Sequence, residues 1–451
     1  MTIATAEIGN LAVDLDPQTL DCRTVGPVAL ESRLTSKFDL STNELPGAPS
    51  LPRTVREEWQ STTPQMDVAE KNEPPGAPSL PRSLREGWES TESTERPVDK
   101  DELPGAPSLP RTVREGWEST DFTGASVDKD ELLARGWAAL PESYRIPAVA
   151  PTLDEARAWC QNLAETHYEN FHVATWFLPK VLRPHLHAIY AYCRVSDDLG
   201  DEVGGAAEAL SLLEMWGEEL DACYAGKARH PVFVALAETI RQCKIPKQPF
   251  ADLLVAFRHD QVVTRYETMD EVLEYCRYSA NPVGRLVLYA CGEVEHDQQE
   301  KFRLSDATCS ALQLANFWQD VRQDYARGRV YLPQRDMEFF HVNDRTIEEG
   351  IATPEFRGLL RTEVDYARSL FEAGLPLIGM VNRELALDLD LFSRGGLEIL
   401  RAIEARDYDV LSARPAISKT TKATLALRAA TAKLLPFLKL GKRRRHAALP
   451  D

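Results

Sequence analysis

From residue 153 to about residue 440, apolar side chains recur every three or four positions, the spacing of one face of an α-helix. Proline and glycine residues interrupt this pattern and divide it into about ten segments. No segment shows the strict alternation of apolar and polar residues that is typical of a half-buried strand. The pattern therefore predicts a single all-α domain over residues 151–440.

The first 150 residues have a different pattern, and 16 of the chain's 29 prolines lie there. The segment ELPGAPSLPRTVREEW begins at Glu44, and close copies begin at Glu73 and Glu102, a period of 29 residues. A degraded fourth copy, VDKDELLARGW, begins at Val127. Each unit contains too little apolar surface to offset the entropy of ordering the chain. We expect residues 1–150 to be a disordered, proline-rich leader whose repeats either bind a protein partner or are a recent duplication without function.

Charge and composition exclude several classes of protein. With 70 acidic and 52 basic residues the formal net charge is -18, which argues against nucleic acid as a partner. No apolar run approaches the roughly 18 residues that a spanning helix needs, and the N-terminus lacks the features of a signal peptide. The eight cysteines have no metal-binding spacing and are typical of a reducing compartment. We therefore expect a cytoplasmic protein.

The C-terminal end is basic although the chain as a whole is acidic. Each positive charge near an anionic bilayer contributes about 1 kcal/mol to binding, so such an end is suited to peripheral contact with the inner face of the membrane. The alternative is a solvated, frayed tail. We treat residues 441–451 as a separate basic tail; the basic residues of this end are Lys433, Lys439, Lys442, Arg443, Arg444 and Arg445.

Two helical segments carry acidic residues one turn apart within otherwise apolar sequence. In AIYAYCRVSDDLGDE, helical spacing places Tyr190, Arg194, Asp197 and Asp201 on one stripe. In ALQLANFWQDVRQDYARG the corresponding second stripe is Gln313, Asn316, Asp320 and Asp324. We call these the first and second acidic stripes. They are either solvated helix faces or inward-facing polar surfaces of a helical bundle.

Inward-facing carboxylates repel one another and lose hydration, so a cation must neutralise them. Mg²⁺ binds oxygen ligands and commonly bridges carboxylates to substrate phosphates. Asp197, Asp201, Asp320 and Asp324 are therefore candidate Mg²⁺ ligands. A diphosphate held by such ions would be a better leaving group, because the metal withdraws charge from the oxygens of the breaking carbon–oxygen bond.

The segments HYENFHVATWFLPKVLRPHLHAIYAYCRVSDDLGDE and LQLANFWQDVRQDYARGRVYLP closely resemble the squalene and phytoene synthase family. The resemblance extends from about His167 to at least Arg414. It implies the all-α isoprenoid synthase helical bundle, with Mg²⁺ held by the aspartates of the two stripes. It also implies that Asn316 and Gln313 assist the metal site, and that Tyr190 and Arg194 act beside the diphosphate.

Three features resemble the bacterial hydroxysqualene synthase branch of this family. Many squalene and phytoene synthases have arginine immediately before the first aspartate of the second motif, where this chain has Gln319. The early segment HYENFHVAT replaces a serine-rich one, and YCRYSANPVGRLVL is also distinctive. This branch converts presqualene diphosphate and water to hydroxysqualene and diphosphate, on the route to hopanoids.

Other residues suit the same chemistry. Arginines can donate to diphosphate oxygens and aromatic ring faces can stabilise a carbocation, although a structural role is the common alternative for both. The candidate substrate-binding residues are Arg285, Asn281, Arg329 and Tyr275; Phe171, His172, Phe317 and Gln319 are further candidates near the substrate.

Two alternative functions remain at this point. The first is a squalene or phytoene synthase that condenses two prenyl diphosphates such as farnesyl diphosphate. The second is a non-catalytic subunit of a lipid-synthesis complex. The four aspartates argue against the second alternative, since a site without activity would be free to lose them.

Overall fold

A computed structural model describes residues 128–166 and 179–418, together with eight residues between positions 420 and 431. The repeats of the leader, the segment 167–178 with Phe171 and His172, and the basic tail lie outside the described residues. The predictions made for those segments therefore remain predictions.

The described residues form thirteen α-helices and three short 3-10 helices, with no strand and one isolated β-bridge between Arg265 and Val330. The predicted all-α class is confirmed for the described residues. The α-helices are α1 Lys129–Ala139, α2 Leu153–Thr166, α3 Arg183–Asp201, α4 Ala206–Tyr224, α5 Pro231–Cys243, α6 Gln248–His259, α7 Met269–Ser279, α8 Asn281–Ala290, α9 Gln298–Ala326, α10 Gln334–Phe339, α11 Asp344–Glu349, α12 Pro354–Gly374 and α13 Arg383–Ala405. The 3-10 helices are Glu142–Tyr144, Lys180–Leu182 and Leu375–Gly379.

Capping side chains fix where several helices begin. Thr268, Thr353 and Asn382 precede α7, α12 and α13, and each accepts a hydrogen bond from a backbone N–H of the first turn. These caps satisfy donors that have no partner inside the helix. The helix starts were therefore encoded locally in the sequence.

The 29-residue helix α9 is the centre of the second half of the fold and packs against α7, α8, α12 and α13. Two groups of buried side chains form the core of the bundle. One lies among α2 to α6, where Trp216 and Phe233 are fully buried, and the other lies among α7, α9, α12 and α13, around Trp318 and Phe371. Helix α3 belongs to the first group and α9 to the second, so the two acidic stripes come from different halves of the core.

The packed part of the chain begins earlier than residue 151. Helix α1, within the range assigned to the leader, packs against α4. Its Gly136 is buried, and a Cβ there would lie 2.7 Å from Leu212 Cδ1, so glycine allows the two helices to approach closely. Tyr144, which follows α1, is also buried. Residues 129–144 therefore belong to the body of the protein.

Candidate active site

The first stripe is the most open face of the last turns of α3. Tyr190, Arg194 and Asp197 are half-buried and Asp201 is exposed at the helix end, whereas the intervening residues are mostly buried. The stripe therefore continues along α3 as the spacing predicted.

Arg194 does not pair chiefly with the aspartates of its own stripe. Its Nε donates to Asp198 Oδ2 at 3.1 Å and its Nη2 donates to Asp198 Oδ1. The nearest approach to Asp197 is 4.0 Å, between Arg194 Nη1 and Asp197 Oδ2. A further donor to Asp198 is the Tyr144 hydroxyl, at 2.7 Å from Oδ2. Asp198 thus anchors the arginine that we expected beside a diphosphate.

The second stripe lies on α9 and is more buried than the first. Gln313, Asn316 and Asp320 are buried, and Asp324, near the end of the helix, is half-buried. This burial excludes a solvated face for the first three residues. Arg414, from the segment after α13, forms a two-pronged ion pair with Asp320, with Nη2 at 2.9 Å from Oδ2.

The C-terminal ends of α3 and α9 converge at Arg329. Arg329 Nη2 donates to Asp201 Oδ1 at 2.9 Å, and the Arg329 backbone N–H donates to the Asp324 carbonyl at 2.9 Å. Burial works against the charge of Arg329, but Asp260 and Asp201 outweigh it and keep the arginine pKa above its usual range. A single residue, Arg329, therefore links the ends of α3 and α9, through its guanidinium to Asp201 and through its backbone N–H to the Asp324 carbonyl.

In each stripe, the surroundings destabilise the ionised form of one carboxyl group. Burial raises the pKa of Asp197 to about 6, and the neighbouring Asp201 raises it further. Burial likewise raises the pKa of Asp324 to about 7, with a further contribution from Asp320. Both shifts have the same cause, which is loss of hydration next to a second negative charge. A cation at either pair would relieve both effects.

The donor set fits Mg²⁺ bound together with a phosphate ligand better than Mg²⁺ bound by protein alone. Among the residues that the structure describes, no three acidic, histidine or cysteine side chains form a metal-binding group. The carboxylates occur instead as the pairs Asp197/Asp201 and Asp320/Asp324. Mg²⁺ is commonly held by one or two carboxylates plus substrate phosphates and waters, so these pairs suit it.

An aromatic and apolar cavity adjoins the charged end of the site. Asp324 and Arg329 lie at its polar side; the complete lining is Phe317, Val321, Asp324, Arg329, Val330, Tyr331 and Leu332. Phe317 and Tyr331 stack face to face with centroids 3.7 Å apart, and Tyr275 packs beside them at 6.2 Å from Phe317. The Tyr275 hydroxyl donates to Asp260 Oδ2 at 3.0 Å, so its ring is held in place. Phe317, a candidate from the sequence, thus lines the same cavity as Arg329, and Tyr275 packs against Phe317.

Two other candidates, Arg285 and Asn281, lie on α8, away from the C-terminal ends of the two acidic stripes. Arg285 on α8 forms a two-pronged ion pair with Asp306, at 3.0 and 2.5 Å. Asp306 precedes Asp320 by fourteen residues on α9, which at the helical rise is about 21 Å. Asn281, also on α8, is buried and accepts a hydrogen bond from Ser310 Oγ at 3.0 Å.

Gln319 is occupied by contacts with the segment after α13. Its Nε2 donates to the Pro415 carbonyl at 2.6 Å, and its Oε1 accepts from Arg414 Nη2 at 3.1 Å. With both ends of the amide engaged and the side chain buried, Gln319 is poorly placed to hold a reacting water.

Sequence reasoning missed three residues that the fold adds to this region. Asp260, at the end of α6, is buried and bonded to Tyr275, and burial raises its pKa to about 6. Arg414 reaches Asp320 across 94 residues and Tyr144 reaches Asp198 across 54. A single acid, arginine or tyrosine outside a periodic stripe has no sequence signal of its own, because only packing decides what it contacts.

An all-helical bundle that carries paired carboxylates and arginines, with a small aromatic pocket beside Asp324 and Arg329, is suited to binding a diphosphate next to an apolar group. The comparisons agree with this class of protein. A sequence profile of the squalene/phytoene synthase family matches residues 164–421. This chain belongs to the squalene/phytoene synthase family, whose members are isoprenoid-synthesising enzymes that bind prenyl diphosphates.

Individual relatives include enzymes named for different products. Phytoene synthase 3 of Zea mays is 30% identical over 63% of this chain and 68% of its own length. The 15-cis-phytoene synthase of Synechocystis is 30% identical over 59% of this chain and 83% of its own. The crystal structure of squalene synthase HpnC from Alicyclobacillus acidocaldarius is 41% identical, with a TM-score of 0.55, over 61% of this chain and 99% of that chain. A dehydrosqualene synthase structure with a bound ligand is 25% identical, with a TM-score of 0.56, over 62% of this chain and 96% of that chain.

Proposed function

We propose that this chain is a Mg²⁺-dependent hydroxysqualene synthase that converts presqualene diphosphate and water to hydroxysqualene and diphosphate. In this reaction the carbon–oxygen bond to the diphosphate breaks and its electron pair leaves with the diphosphate. The cyclopropylcarbinyl cation rearranges, water adds to the resulting carbocation, and a proton is lost. The bound Mg²⁺ would supply the positive charge that stabilises the departing diphosphate.

The observation that carries the proposal is the charge around the second stripe. Position 319 is a neutral glutamine whose amide is bonded to Pro415 and Arg414. Three arginines of the site are each paired with a carboxylate: Arg194 with Asp198, Arg329 with Asp201 and Arg414 with Asp320. Condensation starts from two bound diphosphates, whereas ionisation of presqualene diphosphate requires one. Because carboxylates already compensate these positive charges, the site favours the substrate with a single diphosphate.

The chain's own residues would bind and shield the reacting species. Arg194 and Arg329 would donate the N–H groups that their carboxylate partners leave available to diphosphate oxygens. Phe317 and Tyr331 line the pocket beside Arg329 and Tyr275 packs against them, so these rings would stabilise a cation formed there. The hydrogen bond from Tyr275 to Asp260 holds one of these rings in a fixed orientation.

A second candidate function is condensation of two prenyl diphosphates to squalene or phytoene, favoured by the names of the relatives found above. Incubation of the purified full chain with presqualene diphosphate and Mg²⁺, followed by mass spectrometry of the lipid extract, separates the two. We expect a hydroxylated C30 alcohol that is lost with EDTA. Consumption of farnesyl diphosphate without turnover of presqualene diphosphate would instead assign the chain to the condensing enzymes.

The same assay tests the carboxylates. We expect Asp197→Asn and Asp320→Asn each to lower turnover at least about 100-fold, as loss of groups at metal sites commonly does. Asp270→Asn/Glu274→Gln is the matched control, because these residues form an acidic pair of the same spacing on α7 that belongs to neither stripe. Equal activity in all three variants would overturn the metal-site assignment and favour a non-catalytic role.

A further inference from the structure

The segment that precedes the family-matched residues reaches the first acidic stripe through one hydroxyl group. Tyr144 lies in the 3-10 helix Glu142–Tyr144, whereas the family match begins at residue 164. Its side chain is 3% exposed, and its hydroxyl donates to Asp198 Oδ2 at 2.7 Å. A residue outside the matched region is thus in contact with the site.

Asp198 flanks the stripe, one turn after Arg194, on the side that contacts this segment. It directly follows Asp197 on α3, so helical geometry turns it by about 100° from its neighbour. Asp198 is 5% exposed and accepts hydrogen bonds from Tyr144 and from two nitrogens of Arg194. A buried carboxylate is tolerated only when such donors compensate for lost hydration. Each donor therefore helps keep the carboxylate in place.

Tyr144 contacts Asp198, and Asp198 contacts Arg194, which belongs to the first acidic stripe. The Tyr144 hydroxyl and Arg194 Nε share the same oxygen, Asp198 Oδ2. The carboxylate holds the guanidinium by Nε and Nη2, while Nη1 lies 4.0 Å from Asp197 Oδ2. Burial raises the pKa of Tyr144 and the hydrogen bond to Asp198 raises it further, so the hydroxyl remains a donor. The orientation of Arg194 thus depends on Asp198, and that of Asp198 on Tyr144.

Tyr144 is itself held on both sides. The Trp159 ring packs edge-on against it with centroids 6.1 Å apart. On the N-terminal side, α1 is attached to α4 by Lys129 Nζ to Glu214 Oε2 at 3.0 Å and Arg135 Nη2 to Glu208 Oε1 at 2.9 Å. The hydroxyl is therefore presented to Asp198 by a packed element.

We propose that Tyr144 is a positioning residue of the active site, which orients Arg194 toward the diphosphate by fixing the Asp198 carboxylate. The inference rests on the proposed role of Arg194 in diphosphate binding. It adds to the site a residue from the region between the repeats and the family-matched domain.

The test is calorimetric binding of inorganic diphosphate to the full chain in the presence of Mg²⁺. Tyr144→Phe keeps the ring against Trp159 and removes only the hydroxyl. We expect about a tenfold weaker affinity, the size of one hydrogen bond to a charged group. Tyr192→Phe is the matched control: it removes another buried 2.7 Å hydrogen bond, from the hydroxyl to the Phe250 carbonyl, and should leave affinity unchanged.

A double-mutant cycle separates positioning from general structural damage. If Tyr144 acts through the carboxylate, Tyr144→Phe should weaken binding no further in an Asp198→Asn background, because interacting residues are non-additive. Additive losses, or an affinity of Tyr144→Phe equal to that of the unmodified chain, would overturn the proposal.

The variant Arg194→Gln distinguishes this proposal from the proposed function. Weaker diphosphate binding in Arg194→Gln together with unchanged binding in Tyr144→Phe would remove only the role of Tyr144. Unchanged binding in both would also remove Arg194 from the site. The identity of the lipid product is measured separately, so a different product would leave the result for Tyr144 standing.

Discussion

At the scale of single residues, the sequence predicted the members of each acidic stripe but not the carboxylates with which the arginines pair. Helical spacing placed Asp197 with Asp201 and Asp320 with Asp324 correctly, because positions four apart on one helix are neighbours wherever the helix packs. The partners of the arginines were decided by packing. Arg194 pairs mainly with Asp198, and Arg329 pairs with Asp201, 128 residues away.

Arg285 gives a prediction at this scale. Because its guanidinium is paired with Asp306 and lies over the Phe302 ring at 5.2 Å, we expect Arg285→Gln to destabilise the fold by about 1–3 kcal/mol. Activity per folded enzyme should change less than about threefold, since the group lies roughly 20 Å from the acidic end of α9. Chemical denaturation measures the first quantity and turnover of presqualene diphosphate the second.

The comparison for Arg285 is Arg194→Gln, which should lower turnover strongly as well as destabilise the fold, because Arg194 compensates the buried Asp198 carboxylate. A large loss of turnover in Arg285→Gln at unchanged stability would return Arg285 to the substrate site, as the sequence analysis first proposed.

At the scale of elements, close packing around α9 determines how the second stripe is presented. Helix α9 contacts α12 along much of its length, and the end of α12 lies against the first half of α9. Small residues allow this approach. At Gly374 a Cβ would lie 3.0 Å from the Leu304 carbonyl oxygen and 3.1 Å from the Thr308 backbone nitrogen.

Gly374→Ala should therefore destabilise the protein by about 1–3 kcal/mol, because the atoms that it would meet include helix backbone that cannot turn aside. Gly379→Ala, five residues later in the 3-10 helix Leu375–Gly379, is the matched control, since nothing lies within 4 Å of its Cβ position. The control should change stability by less than about 0.5 kcal/mol. Urea denaturation of both variants measures the difference, and equal stabilities would contradict the close contact.

At the scale of the whole molecule, the chain joins a helical enzyme body to a repeat-containing leader. Among the described residues no helix is long and apolar enough to cross a membrane. Every one of the seven cysteines in the described ranges is a free thiol. Peripheral membrane contact through the basic tail, and a protein partner for the repeats, remain predictions from composition.

Two shortened chains test where the body begins. A chain starting at residue 128 keeps α1 and Tyr144 and should retain turnover within about twofold, since the repeats cannot bury enough apolar surface to stabilise the body. A chain starting at residue 151 lacks α1 and Tyr144, and we expect a lower Tm and a diphosphate affinity reduced at least about tenfold. Thermal unfolding measures the Tm of each chain, and calorimetry measures its affinity for diphosphate. Equal behaviour of the two chains would move the boundary back to residue 150.

The sequence by itself determined the all-α class, the starts of the helices that have a capping side chain, and the composition of each acidic stripe. These properties depend on spacing and capping over a few residues, and the physical interactions involved act within one helix. Phe317 and Tyr275 were also candidates from sequence, but their stacking with Tyr331 required the helices to be packed.

Only the tertiary structure decided which charges meet. Tyr144 with Asp198, Asp201 with Arg329, and Asp320 with Arg414 are pairs separated by 54, 128 and 94 residues. A hydrogen bond acts over about 3 Å, so its partners are determined by the packing of apolar faces elsewhere in the bundle. For the same reason the body begins at α1: the buried contact of Gly136 with Leu212 exists only once α4 is in place.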